Sequence, residues 1–357
     1  MTAGPPRDTK PITMQIGGRD YDVRSGLAVF LAISAGSAAA IFLITNRTGV
    51  WTGISQMRPA YLALACGLMV VQWSLNAIRF RILVNSLDNS VSFLTSLRAF
   101  MANVFLSAVT PSQTGGGPIQ IYILNRAGVP LAKGFAGCLM GAVLSVVCLL
   151  ASSVVILVSN SGLRAEFGRH LTGVIVTAVI VFSALAGLFV LSVLRIGVMK
   201  QLAGRTLLLI ARLLRTEKRL AITKRVLSGL DQYRECVSVF ASRRKMKVLV
   251  ALVFTFAGIA TNSLIALALL ASLNVGFDPV NVYLAQFILL FIAYFSPTPG
   301  ASGIAEFSSY WMLSSLNVIP NALGLYTVLW RFFTSYAGVA VGGVIVLGMI
   351  PRRRGSI

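Results

Sequence analysis

The sequence predicts an all-α polytopic membrane protein, with about six full transmembrane helices and two Pro/Gly-broken helical hairpins related as an inverted repeat. Three observations carry this reading. The 357 residues are 56% hydrophobic and only 11% charged, whereas a soluble domain carries roughly 25% charged residues. The apolar residues gather into runs near the ~20 residues that cross a bilayer as a helix. The charge is lopsided, with 31 Lys and Arg against 10 Asp and Glu and a formal net charge of +21. Nucleic acid is not an expected partner, because a nucleic-acid binder displays such charge on a polar surface and this chain is mostly apolar.

Residues 1–25 carry seven charges of mixed sign, with Pro5, Pro6 and Pro11. They read as a flexible cytoplasmic tail, too long and too mixed in sign for a signal peptide. The single transmembrane domain then occupies 26–350. Uncharged apolar runs at about 26–45, 60–78, 135–158, 171–194 and 248–273 each predict one crossing, and a sixth at 322–350 contains Arg331. Residues 351–357 form a basic cytoplasmic tail.

Two further apolar stretches are interrupted. In 92–126 an apolar arm runs into Pro111 and the glycines Gly115, Gly116 and Gly117, then resumes; in 281–316 the break is Pro297 to Gly303. Non-helical backbone at membrane depth is tolerated only where protein or a cavity surrounds it, and broken helices of this kind mark transporter sites. Aligned on Pro111 and Pro297, the two breaks share a preceding hydroxyl residue, a glycine six residues on (Gly117, Gly303) and a long polar residue nine on (Gln120, Glu306). With the N-terminus inside and each hairpin returning to its own face, 25 of the 31 basic residues are cytoplasmic and Arg98 and Arg331 are embedded, as the positive-inside rule requires. Three crossings separate the hairpins, so they open from opposite faces.

This arrangement suits a ligand site. Gly300, Gly303 and Gly115–Gly117 allow close backbone approach. Helix N-termini at the two tips offer free N–H groups and partial positive charge to an anion such as phosphate. Tight helix packing is the competing explanation of the glycines. TGGGP lacks the Gly-Lys-Ser/Thr of a P-loop, so ATP coupling has no support.

Glu306 is the one acidic residue predicted deep in apolar sequence, where a central charge costs roughly 2.5–3.5 kcal/mol. Arg331 is its candidate partner. Three readings stay open: a structural ion pair, a working pair in which Glu306 takes a proton or a cationic head group while Arg331 binds phosphate, or a Glu306 beside a watery vestibule. Arg79 and Arg81, at the cytoplasmic end of the second run, read as positive-inside anchors with a second role in gathering anionic lipid; Arg126 follows the first hairpin. The segment 195–247 holds 14 basic residues with leucines at helical spacing, and predicts amphipathic helices on anionic inner-leaflet lipid. Glycine pairs at Gly137/Gly141 and Gly338/Gly342 suit close helix contacts, including those of a homo-oligomer. Cys66, Cys138, Cys148 and Cys236 and the lone His170 show no metal or redox spacing, so neither a cofactor nor a metal is expected.

Over about residues 27–350 the chain resembles the family of the lysylphosphatidylglycerol synthase transmembrane region, also described as flippase-like. The resemblance rests on TPSQTGGGPIQIYILNRAG at 110–128, SPTPGASGIAEF at 296–307, IRFRIL at 78–83 and Arg331. Gln120 stands where many members have an acid, which puts a two-carboxylate mechanism in doubt. The resemblance implies lipid translocation, with aminoacylated phosphatidylglycerol as substrate in the named members. Those bifunctional members add a soluble transferase domain; the last predicted span here ends seven residues before Ile357, so no enzyme activity is expected. The expectation is a phospholipid transporter of the cell membrane with both termini cytoplasmic. The alternatives are a transporter of a small polar solute through the same site and a membrane enzyme acting on lipids.

Overall fold

A computed structural model of the chain describes residues 13–16, 19–45, 57–163, 239–240, 244–318 and 320–349, with a few isolated positions besides. The predicted span 171–194, nearly all of the basic segment 195–247 and the tail 351–357 lie outside the described residues. Within the segment read as a flexible tail, Thr13–Ile16 (β1) pairs antiparallel with Arg19–Asp22 (β2). Every other described element is helical.

Helix α1 spans Val23–Thr45 and α2 spans Pro59–Asn85. The first broken hairpin is α3 (Phe93–Val109), a tight turn at Pro111–Gln113 and α4 (Gly116–Arg126). Helices α5 (Leu131–Ser159) and α6 (Lys245–Ser272) are long and apolar. The second hairpin is α7 (Pro279–Tyr294), a turn at Pro299–Ala301 and α8 (Ile304–Ser315). The last span comes in three parts: α9 (Pro320–Arg331), a π turn at Phe332–Tyr336 and α10 (Ala337–Met349). Among the described residues four helices are long and apolar enough to cross a membrane: Pro59–Asn85, Leu131–Ser159, Lys245–Ser272 and Ala322–Met349.

Local chemistry sets the ends. Pro59 and Pro279 occupy first helical turns, where a missing N–H costs nothing. The Ser92 hydroxyl accepts from the Thr95 N–H at 3.1 Å, and the Asp278 carboxylate accepts from the N–H groups of Val280 and Asn281 at 2.9 and 3.2 Å, satisfying donors the helices cannot. One sequence boundary moves. The second span does not end at residue 78 but continues through Arg79 and Arg81 to Asn85, because the apolar face of Phe80, Leu83 and Val84 stays buried. Arg79 is thereby placed within a helix rather than at its flank.

Two packed centres flank the hairpins. One gathers Leu269, Ile288, Leu313 and Tyr326 from α6, α7, α8 and α9. The other gathers Phe30, Phe105, Leu124 and Val339 from α1, α3, α4 and α10. The outer faces stay apolar, with Val155 63% and Val344 73% exposed, as expected of surfaces that meet lipid tails. Both glycine pairs are used inside the chain: Gly137 and Gly141 lie against Val84 and Leu83 of α2, and Gly338 and Gly342 against Val104, Met101 and Phe105 of α3.

A methyl group at Gly342 would run into the Met101 carbonyl, whereas one at Gly67 meets nothing within 4 Å. Gly342→Ala is therefore expected to destabilise by about 1–3 kcal/mol through overpacking. Gly67→Ala should instead gain up to about 1 kcal/mol in helix propensity. Thermal unfolding of the two variants in one detergent checks the opposite signs.

Candidate functional site

The two breaks meet tip to tip. The Ser112 N–H donates to the Pro297 carbonyl at 3.2 Å, and the Gln113 side-chain amide reaches the carbonyls of Ala293 and Tyr294 at 3.4 and 3.5 Å. Backbone geometry corrects the alignment of the repeat. Pro111 is followed by Ser112 and Gln113 at φ of 50° and 57°, and Pro299, not Pro297, is followed by Gly300 and Ala301 at 56° and 57°. In that register Gly115 and Gly303 both precede the following helix, and Gln120 and Glu306 are not equivalent. Left-handed backbone costs an L-residue roughly 1–2 kcal/mol; such strain concentrates at working sites. At Gly300 a side chain would also strike the Phe30 ring and Ala108.

Glu306 and Arg331 form a fully buried ion pair. Arg331 Nε lies 2.9 Å from Glu306 Oε1, with the side chains 3% and 0% exposed. The Ser34 hydroxyl of α1 donates to the same oxygen at 2.8 Å, and Oε2 accepts the Gly303 N–H at 2.8 Å. Arg331 donates further to the Gly300 carbonyl at 3.0 Å and to the Ser335 hydroxyl at 3.1 Å, and its guanidinium stands over the Tyr336 ring at 5.7 Å. The pair ties α1, the second tip and the last span together. Arg331 immediately precedes the π turn, a helical irregularity frequent at functional sites.

Beside the tips lies a polar cavity of about 280 Å³, bounded by α2, α3, α5, α6, α7 and the last span. Arg79 and Arg331 both line it, as do Asn76, Asn103, Asn262 and Tyr294, with no Asp, Glu, His or Cys among its described lining. Arg79 donates to the Ser145 hydroxyl at 2.6 Å, and among the described residues no carboxylate pairs with it. Its Nε is buried without a hydrogen-bond partner, as are Trp330 Nε1 and Asn262 Oδ1. All three residues line this one cavity. Buried polar atoms are nearly always satisfied in native proteins, so this concentration points to a polar occupant.

Of the sequence candidates, Arg79, Arg331 and Gly300 line the cavity. Glu306 stands behind Arg331, outside the lining. Arg81 turns away, its Nε donating to the Val91 carbonyl at 3.0 Å. Arg126 is exposed and sits over the Tyr122 ring at 5.8 Å. Gln120 is buried in α4 away from the cavity. The Pro297 carbonyl accepts across the tip contact, whereas that of Pro111 accepts from Thr114 within its own turn.

The leading N–H group at each tip, expected from the sequence to be free for an anion, is already bonded within the chain. The start of α8 is closed by its own Glu306, and the Gly115 N–H is taken by the Thr110 hydroxyl at 2.9 Å. Gly116 packs on Asn103 and Ser107, and neither it, Gly115, Gly117 nor Gly303 lines the cavity. Asn103 and Asn262 are lone amides inside their apolar runs and Asn76 shares its run with Gln72, a weak sequence signal for a site.

The profile of the lysylphosphatidylglycerol synthase TM region matches residues 26–342, spanning both hairpins, Arg79 and Arg331. The chain belongs to that family. It is 28% identical over 328 residues to a UPF0104 membrane protein of Archaeoglobus fulgidus, covering 90% of this chain and 95% of the relative. It is 24% identical over 331 residues to a UPF0104 membrane protein of Methanothermobacter thermautotrophicus, covering 90% and 87%. Together with the long apolar helices, these matches make this family member a multi-pass membrane protein.

Proposed function

We propose that this family member moves a phosphate-bearing lipid between leaflets, with the head group in the cavity among Arg79, Arg331 and the amides and the acyl chains in the bilayer. The observation that carries this is a polar cavity and an apolar groove that share a wall residue. Val339 lines both. The groove, about 510 Å³, runs along α1 and α10 past Leu27, Leu31, Val344 and Leu347, and of these Leu31, Val344 and Leu347 are 50%, 73% and 54% exposed. Phe30 and Tyr336 meet edge to face at 5.9 Å, and both line the groove; Phe30 also packs on Gly300 and Tyr336 lies under Arg331. A small polar solute has no use for such a groove, whereas a lipid needs polar and apolar compartments side by side. The described lining of the cavity offers amides, hydroxyls and guanidiniums and no base paired with a nucleophile, which favours transport over chemistry on the head group.

On the charge-derived orientation both termini are cytoplasmic, the hairpins enter from opposite faces, and the basic segment 195–247 rests on anionic lipid. Reconstituted vesicles holding acyl-labelled phosphatidylglycerol test the proposal. Protein should speed exposure of inner-leaflet label to a membrane-impermeant quencher several-fold over protein-free vesicles. Flux of soluble glycerol phosphate without lipid movement would put the solute reading in its place.

A further inference from the structure

Resting on that reading, we infer that the cavity selects a net-anionic phosphodiester with an uncharged, hydroxyl-bearing head group and rejects a cationic aminoacyl head. The charge balance of the site carries the inference. Arg331 is matched by Glu306 at 2.9 Å, so that pair contributes no net charge. Arg79 remains, a guanidinium whose hydrogen-bond partner among the described residues is a neutral hydroxyl, Ser145. Among its described lining residues the cavity therefore carries one net positive charge, and one phosphodiester neutralises it.

The unsatisfied atoms sort the same way. Arg79 Nε and Trp330 Nε1 are donors without acceptors, which suits phosphate oxygens, and the Asn262 amide oxygen is an acceptor without a donor, which suits a hydroxyl. Asn76 and Asn103, which also line the cavity, add groups that serve a polyol as donor or acceptor. An aminoacyl head brings an ammonium into this space and finds no carboxylate in its described lining: among the described acidic residues Glu306 alone bonds to a lining residue, and it is enclosed by Ser34, Gly303 and Arg331. An added cation would face Arg79 in a partly desolvated site, the like-charge juxtaposition by which binding sites reject wrong ligands.

The experiment uses the wild-type full chain in vesicles with one acyl label on three probes: phosphatidylglycerol, phosphatidylethanolamine and lysylphosphatidylglycerol. Phosphatidylglycerol should move fastest and lysylphosphatidylglycerol at least about tenfold more slowly. Lysylphosphatidylglycerol moving as fast as phosphatidylglycerol, or all three moving at one rate, overturns the selectivity and leaves lipid transport standing. If protein accelerates none of the three, the lipid reading itself falls.

Discussion

Arg79→Gln is expected to lower movement of an anionic lipid probe by about ten- to a hundredfold while leaving the protein as stable as wild type or more so. The two effects have separate causes. Contacts from a charged donor contribute about 1.5–3 kcal/mol, and each 1.4 kcal/mol is a factor of ten. In the unliganded fold that charge returns little. Arg79 donates to one hydroxyl, Ser145, and its Nε is buried without a partner. A charge within a membrane helix costs roughly 2.5–3.5 kcal/mol on insertion scales, so glutamine removes a cost along with a function. Arg81→Gln is the matched control. Its side chain secures the loop after α2 through the Val91 carbonyl, so it should lose about 1 kcal/mol of stability and keep its rate per folded molecule. Vesicle transport and thermal unfolding, measured on both variants, separate site from scaffold. Arg79→Gln moving lipid at the wild-type rate would remove Arg79 from the head-group site.

How far the sequence reveals this site follows from what hydropathy and spacing can encode. The long helices were legible because a bilayer demands long apolar runs, and the breaks because proline and glycine interrupt them. The embedded pair was legible because Glu306 and Arg331 stand out against apolar neighbours. Other features were hidden for physical reasons. By hydropathy an apolar run ends at its first arginine, yet α2 continues through Arg79 to Asn85 because Phe80, Leu83 and Val84 still have a core to enter. The second break holds two prolines two residues apart, and spacing alone does not say that the left-handed pair follows Pro299. The π turn after Arg331 has no sequence signature. The cavity gathers amides from three different helices, among them Asn76, Asn103 and Asn262, and only packing brings them together.

The second large effect belongs to the buried pair. Glu306→Gln leaves Arg331 charged and enclosed, and breaking a buried pair costs about 3–5 kcal/mol, a large share of the 5–15 kcal/mol that holds a typical domain. Low yield and a lowered unfolding temperature are expected. Arg331→Met alone should behave alike, stranding a carboxylate whose remaining donors are Ser34 and the Gly303 N–H. Combining the two removes both charges, and such replacements are often neutral, so the double variant should recover most of the lost stability. Transport should not recover with it, because Arg331 lines the cavity and holds the Gly300 carbonyl at the second tip. Unfolding temperatures and vesicle rates for the four proteins of this cycle separate the roles. Recovery of stability and transport together would make the pair scaffolding with no contact to the head group. A folded Glu306→Gln protein that moves lipid but has lost a pH dependence present in the wild type would instead make Glu306 the proton switch. Recovery of stability without transport is the expected outcome, since Arg331 also lines the cavity and every group around the carboxylate is committed to another element of the fold: α1 through Ser34, the second tip through Gly303, and the last span through Arg331.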